Sequence, residues 1–272
     1  MPTMTLLAFV ILAASFLSLW IRREPKIWGS LLGLSLLFGL AAGNIAWIGL
    51  IFIIVLLLLW LLWILYDRKP NVALFILLVC FSAALKMRFF PGYTPFSFTP
   101  KFVVGLEGSL IGLFPLAFLI PLSRTTRDWI AVIKGTLVGC AGIAILAVVA
   151  TAAGATHWHF KVPTFAAARL LSNFFLTSIP EEGFYRGFIQ NTFHKYFENI
   201  KFGKILALLV TSILFTAAHV YWSPNAQILG FVFLASLLYG GVYLISGKLE
   251  SAILCHFLLN LIHMMFFSYH AM

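Results

Sequence analysis

The sequence is poor in charge of either sign. Lys, Arg, Asp and Glu make up 10% of its 272 residues, and only eight residues are acidic. Soluble domains carry about 25% charged and about 45–50% apolar residues, whereas here 62% are hydrophobic and the mean hydropathy is +1.04. A water-soluble fold could not cover this much apolar surface. The composition therefore excludes an ordinary soluble globular protein and predicts an integral membrane protein.

Cysteine is scarce as well. The three cysteines, Cys80, Cys140 and Cys255, all fall inside apolar runs, where a thiol usually behaves as a small hydrophobic side chain. Their positions predict neither a disulfide framework nor a cysteine metal site.

Several familiar catalytic motifs are also missing. The chain has no His-Glu-x-x-His zinc helix, no Gly-x-Ser-x-Gly elbow and no glycine-rich phosphate loop. His157-Trp-His159 could suggest a metal, but it lies in a predicted loop without a third ligand nearby, so we expect none there. We expect no cofactor at all.

Basic residues outnumber acidic ones and give a net charge of +10. In a soluble protein this charge would suggest nucleic acid. Here most Lys and Arg residues lie in short breaks between apolar runs, which is typical of topology determinants beside anionic lipid. The expected partner is therefore the lipid bilayer and not nucleic acid.

Apolar runs of spanning length fill most of the chain, and a transmembrane helix needs about 20 such residues. The candidate spans are 4–21, 27–43, 46–66, 71–87, 103–121, 129–151, 166–189, 203–222, 226–246 and 250–268. They predict an all-α fold, a polytopic membrane helical bundle of about 8–10 transmembrane helices. We expect a multi-pass protein of a prokaryotic cytoplasmic membrane.

Two adjacent carboxylates interrupt the span 166–189. In α-helical spacing, Glu182 and Arg186 are four apart and share a face, so they can form an ion pair. Glu181 lies about 100° around the helix and has no charged partner on it. The asymmetry predicts that Glu182 is anchored and Glu181 is free. A free carboxylate in an apolar site can act as a general base.

A purely structural interpretation exists for the same residues. Ser178-Ile-Pro-Glu181 fits a capping box, with Ser178 as N-cap, and Pro180 suits a first helical turn. Glu181 would then close the start of a helix after a break. The two interpretations are compatible, because a helix broken inside a membrane often marks a site.

Two further motifs follow on later spans. Phe215-x-x-x-His219 places an aromatic ring and an imidazole on one helical face, and His256-x-x-x-Asn260 does the same for an imidazole and an amide. Taken singly, His219 fits a structural role near a helix end, and His256 and Asn260 fit hydrogen bonding between helices. Together the three motifs supply a base, histidines and an amide donor suited to an oxyanion. That inventory predicts water attack on a carbonyl group.

Three motifs, in this order along the chain, resemble the signature of the CPBP family: Glu181-Glu182-x-x-x-Arg186, Phe215-x-x-x-His219 and His256-x-x-x-Asn260. That family includes type II CAAX prenyl endopeptidases and bacteriocin-processing or immunity proteins (Abi). The resemblance covers about residues 169–265, roughly a third of the chain. It implies a helical intramembrane protease of the glutamate type.

The resemblance also implies roles for the matching residues. Glu181 would activate water with the help of His219, and His256 and Asn260 would stabilise the oxyanion. Glu182 and Arg186 would support the site. We expect a metal-free mechanism; if the activity depended on a metal, Glu181, His219 and His256 would be the ligands.

Two regions follow from these motifs: N-terminal transmembrane helices of unassigned role in residues 1–165, and a CPBP-like catalytic helical core in residues 166–272. The predicted function is intramembrane endopeptidase action on a membrane-associated peptide or protein, with lipidated and sorting-signal substrates both open. The alternatives are a non-proteolytic bacteriocin-immunity or scaffold protein and, less favoured, a transporter or proton relay. The sequence predicts no particular oligomeric state.

Overall fold

The computed structural model describes residues 2–66, 71–221 and 223–269. These residues are mostly helical, and the chain divides into two compact units. Unit 1 comprises Met1–Leu122 and Phe175–Phe184, and unit 2 comprises Ser123–Phe174 and Tyr185–Met272. The predicted all-α membrane bundle is confirmed by this architecture. The predicted division at residue 165, which concerned the catalytic core, stays a prediction.

Unit 1 is built from helices and one small hairpin. Its elements are α1 (Pro2–Ile21), α2 (Pro25–Ala41), α3 (Trp47–Leu65), α4 (Val72–Lys86), β1 (Phe96–Thr99), β2 (Phe102–Val104), α5 (Glu107–Phe118) and the short α8 (Ile179–Glu182). Strand β1 pairs antiparallel with β2. Among these, α5 forms the centre of the unit, because its residues from Glu107 to Ala117 are buried.

Unit 2 contains the remaining elements. They are α6 (Thr126–Ala152), β3 (Thr156–Trp158), α7 (Ala166–Ser172), α9 (Asn191–Tyr196), α10 (Gly203–His219), α11 (Ala226–Ser246), α12 (Leu249–Phe266) and β4 (Phe267–Tyr269). Strand β3 pairs antiparallel with β4, so the segment around His157 that was predicted as a loop is a short strand. The local sequence gives no sign of this pairing because its partner lies over 100 residues away.

Local side chains cap some of the helix starts in the structure. Thr125 and Asp128 form a complete capping box at the start of α6, and such caps contribute about 1 kcal/mol. Asn225 accepts a hydrogen bond from the backbone N–H of Ile228 at 3.0 Å and so caps α11. At the other end of α11, Gly247 adopts a left-handed φ of 66°, which ends the helix without steric cost.

Five of the described helices are long and apolar enough to cross a membrane: Thr3–Ile21, Trp47–Leu65, Thr126–Ala152, Ala226–Ser246 and Leu249–Phe266. Shorter apolar helices are Pro25–Ala41, Val72–Lys86, Glu107–Phe118 and Gly203–His219. The protein is therefore an integral multi-pass membrane protein. Helix α6 packs through small residues: a Cβ at Gly135, Gly139 or Gly142 would meet side chains of α11 or α12 within 3.0 Å.

In unit 1, Gly112 of α5 allows a close backbone approach to α8. A Cβ at Gly112 would lie well inside 3.0 Å of the carbonyl oxygen and Cα of Pro180, next to Glu181. Backbone atoms cannot rotate away as a flexible side chain can, so the two helices would have to move apart.

We therefore expect Gly112→Ala to destabilise the protein by about 1–3 kcal/mol, the usual cost of overpacking a core. The measurement is the midpoint of thermal unfolding in detergent. Gly33→Ala on α2 is the matched control, because its Cβ would meet nothing within 4 Å, and it should leave the midpoint equal or raised. Equal midpoints for both variants would contradict the close approach.

Candidate active site

Both adjacent glutamates lie on α8, which sits between two π-helical stretches. Residues 166–196 are helical throughout but alternate between α7, a π-helix at Asn173–Ser178, α8, a second π-helix at Gly183–Gln190, and α9. π-Helices are rare and occur frequently at functional sites. Both helix types satisfy the backbone internally, which a segment in lipid requires.

The capping-box interpretation of this segment is wrong. Ser178 has helical dihedral angles (φ −65°, ψ −48°) and its side chain makes no capping hydrogen bond. An N-cap residue needs extended backbone, and the chain is already helical before Ser178. Glu181 is therefore not explained as the closing residue of a helix start.

The two glutamates differ in exposure. Glu182 is completely buried, whereas Glu181 keeps 8% of its surface exposed. The two carboxylates thus differ in burial, and Glu181 is the one that a small molecule such as water could reach. A buried carboxylate is costly unless it is paired, so both positions require compensation from their surroundings.

Glu181 is not the free member of the pair, contrary to the prediction. The ammonium Nζ of Lys86, in the last turn of α4, lies 3.2 Å from Glu181 Oε1. The prediction considered only partners on the same helix, and Lys86 comes from a helix almost 100 residues earlier. Glu181 is therefore an ion-paired and partly accessible carboxylate.

The predicted ion pair between Glu182 and Arg186 rested on α-helical spacing. Arg186 lies in the second π-helical stretch, where residues five apart rather than four share a turn. The spacing argument therefore no longer applies directly, and the pair stays a prediction.

Arg186 is completely buried in unit 2, in contact with α10 and α11. Its Nη2 donates to the carbonyl oxygen of Ser236 at 3.2 Å and to Ser236 Oγ at 3.1 Å. Its guanidinium carbon also lies 5.1 Å from the ring centroid of Phe215 and 5.9 Å from that of Tyr239. Cation–π distances of this kind are favourable below about 6 Å, so aromatic faces and a serine hold the cation in place.

We expect Arg186→Lys to lower stability, because an ammonium has no planar fork to combine the Ser236 contacts with ring stacking. The loss should be about 1–3 kcal/mol, the range for hydrogen bonds to charged groups. Thermal unfolding in detergent measures it, with exposed Arg127→Lys as the control. A midpoint equal to that of the control would show that the fork geometry is not needed.

Phe215 brings both predicted histidines together in unit 2. Its ring is stacked on His219, with centroids 4.5 Å apart, and lies edge-on to His256 at 6.0 Å. His256 is buried and is stacked in turn on Tyr239 at 4.6 Å. Phe215 and His219 of the second motif and His256 of the third therefore belong to one cluster of aromatic and imidazole rings.

The imidazole of His219 is oriented by its own helix. His219 Nδ1 lies 2.8 Å from the carbonyl oxygen of Phe215. A carbonyl oxygen can only accept, so this hydrogen bond requires the proton to be on Nδ1. In the neutral ring Nε2 then carries the lone pair. The ring is therefore set to accept a proton through Nε2.

Asn260 is held by a second amide. Its Nδ2 donates to Asn173 Oδ1 at 3.0 Å, and Asn173 Nδ2 donates to the carbonyl oxygen of Phe257 at 3.2 Å. This contact between helices matches the structural interpretation of Asn260. It does not exclude the oxyanion role, because an amide carries two N–H donors and Asn173 takes only one of them.

Several residues that contact the candidate site residues were not predicted from the sequence: Lys86, Asn173, Ser236 and Tyr239. Ser236 and Tyr239 are three apart on one apolar helix, and that spacing is a weak signal that could have been noticed. Lys86 at the end of a span is indistinguishable in sequence from a topology determinant.

If the activity depended on a metal, the predicted ligands were Glu181, His219 and His256. Within neither unit do three His, Cys, Asp or Glu side chains of the described residues form a group that could hold a metal ion. The alternative ligand set from the sequence therefore stays a prediction.

The glutamates of unit 1, and the imidazoles and amide of unit 2, are the candidate residues of a helical membrane hydrolase. Residues 163–262, 100 of the 272, match the family described as type II CAAX prenyl endopeptidase Rce1-like. The match confirms the predicted resemblance and supports an intramembrane endopeptidase at the level of the family. No curated protein and no solved structure matches the chain.

Proposed function

We propose that this protein is an intramembrane endopeptidase of the glutamate type, which hydrolyses a peptide bond of a membrane-associated substrate. The observation that carries the proposal is the family match, because residues 163–262 include all six candidate site residues: Glu181, Glu182, Arg186, His219, His256 and Asn260. The side-chain chemistry described above supports the roles proposed below.

Glu181 is the general base in this proposal. Its carboxylate takes a proton from a water molecule as the water oxygen attacks the scissile carbonyl carbon. The same proton then passes to the leaving nitrogen as the C–N bond breaks, so the carboxylate is regenerated. Partial exposure supports this assignment over the completely buried Glu182.

His219 assists by accepting or sharing a proton of the attacking water through Nε2. The hydrogen bond of Nδ1 to the carbonyl oxygen of Phe215 supports this role, because it fixes both the tautomer and the ring plane. A positioned acid or base of this kind contributes about 10²–10⁴-fold to a rate.

His256 and Asn260 stabilise the oxyanion that forms on the carbonyl oxygen. Both can donate an N–H, and both are held: His256 by stacking on Tyr239, and Asn260 by Asn173. Donors that are fixed before the reaction need little energy to reorient during it, so they stabilise the oxyanion effectively. Glu182 and Arg186 complete the proposal as buried supporting charges.

We propose that the substrate is a peptide or protein at the membrane of a prokaryotic cell. Lipidated CAAX-type substrates and sorting signals are both consistent with a family-level endopeptidase in a bilayer. The proposed mechanism is metal-free. It assigns no oligomeric state.

The test uses the full chain in lipid nanodiscs with three fluorogenic peptides: a prenylated C-terminal peptide, the same peptide without lipid, and a membrane-anchored sorting-signal peptide. We expect cleavage of at least one, with the scissile bond located by mass spectrometry. Elemental analysis of active protein decides the metal question, since stoichiometric zinc would overturn the metal-free mechanism. No cleavage of any peptide, with proton or solute flux in liposomes, would favour a transporter over the proposal.

A further inference from the structure

Lys86 lies outside the segment that matches the family, yet it is a cation in contact with Glu181. It sits in the last turn of α4, and its Nζ is 3.2 Å from Glu181 Oε1. The lysine side chain is 35% exposed and that of Glu181 is 10% exposed. A partly desolvated ion pair of this kind is stronger and less screened than one on an open surface.

A second ion pair, between Arg88 and Glu107, gives Glu107 a counter-ion other than Lys86. Arg88 Nε lies 2.5 Å from Glu107 Oε1, and Glu107 is buried at the start of α5. Arg88 has a left-handed φ of 59°, so the chain turns directly after α4. Because Arg88 is already the counter-ion of Glu107, Lys86 can pair with Glu181 instead.

The stem of Lys86 is also guided. A Cβ at Gly108 of α5 would lie 3.0 Å from Lys86 Cδ, so the lysine methylenes pass directly over the bare glycine backbone. A lysine has several rotatable bonds, and packing its stem on a flat surface reduces the entropy lost on ordering its head. Three features of unit 1, namely a turn, a glycine and a competing ion pair, thus direct this ammonium to Glu181.

We propose that Lys86 is a positioning residue for Glu181: it fixes the orientation of the carboxylate that takes the proton from water. This inference rests on the proposed function above. It assigns part of the site to the N-terminal region, which neither the motifs nor the family match covers. Lys86 contacts one carboxylate oxygen and acts through it.

We expect Lys86→Met to lower kcat by about 10- to 100-fold with little change in KM, because small misplacements of a reacting group cost about that much. Methionine keeps an unbranched apolar stem and removes only the charge. Lys86→Arg should recover most of the loss, since it restores a cation. Lys101→Met, in the exposed turn between β1 and β2, is the matched control and should behave as wild type.

A readout that does not depend on activity separates positioning from simple destabilisation. A hydrophobic carbodiimide reaches a buried carboxyl only when its ion pair is open, so mass spectrometry should find more labelled Glu181 in Lys86→Met than in wild type or in Lys101→Met. Thermal unfolding in detergent should show that Lys86→Met still folds.

The outcomes distinguish the two proposals. In one outcome, wild-type protein cleaves, Glu181→Gln is inactive, and Lys86→Met has the same kcat and the same labelling as wild type. That outcome would overturn the inference about Lys86 and leave the proposed function standing. If Glu181→Gln is as active as wild type, the proposed function fails first. An equal loss of kcat in Lys86→Met and Lys86→Arg would also overturn the inference, because restoring the charge would then have no effect.

Discussion

Replacing Glu181 by glutamine is expected to reduce kcat by about 10²–10⁴-fold while the protein still accumulates in the membrane. Glutamine has nearly the same size but cannot accept a proton from water at neutral pH, and loss of a positioned base costs about 10²–10⁴-fold. The Glu181 side chain is partly accessible and is not part of the hydrophobic core, so the fold should persist. Single-turnover cleavage in nanodiscs measures the effect.

Glu198→Gln is the control for this substitution. Glu198 is exposed in the turn that follows α9, and its change to glutamine removes the same charge from the same protein. Its kcat should equal that of wild type. If Glu181→Gln also kept wild-type kcat, Glu181 would not be the base, and a scaffold or immunity function would become the better interpretation.

The helices could be predicted from the sequence because membrane spans are read from the length of apolar runs, a local property. The predicted span 226–246 coincides with α11, Ala226–Ser246. The largest difference is in the predicted span 103–121, where the helix is only Glu107–Phe118 and β2 precedes it. Apolar residues such as Val103 and Val104 fit a strand as well as a span, so hydropathy alone could not separate the two.

The π-helical stretches around α8 could not be predicted. A π-helix differs from an α-helix in its hydrogen-bond register, and residues such as Gly183 or Asn173 favour neither register by composition. The consequence was specific: the i, i+4 argument that pairs Glu182 with Arg186 assumed a register that the chain leaves at residue 183.

The sequence motifs predict candidate site residues, but not the residues that contact them. Motifs identified His219 and His256, because imidazoles are unusual in apolar helices. Lys86 and Asn173 were missed, because each is defined by a contact with a residue more than 80 positions away along the chain. Such contacts depend on helix packing, which one sequence does not encode as a local pattern.

The second large effect is expected for His219→Ala. The hydrogen bond from Nδ1 to the carbonyl oxygen of Phe215 presents Nε2 as a proton acceptor, and alanine removes that acceptor. We expect kcat to fall by about 10²–10⁴-fold, the contribution of a positioned acid or base. Because His219 is only half-buried, the vacated space should admit free imidazole, which should restore part of the rate.

Rescue by imidazole distinguishes a chemical role from a packing role. A ring that merely stacks on Phe215 would be replaced equally well by pyrrole or cyclopentane, which fill the space but lack the basic nitrogen. We therefore expect rescue by imidazole alone, with a rate that rises with its concentration and saturates. His194→Ala, at a half-buried position in α9, is the control and should keep wild-type kcat. Equal rescue by pyrrole would assign His219 a structural role and leave Glu181 as the sole proton acceptor in the proposed reaction.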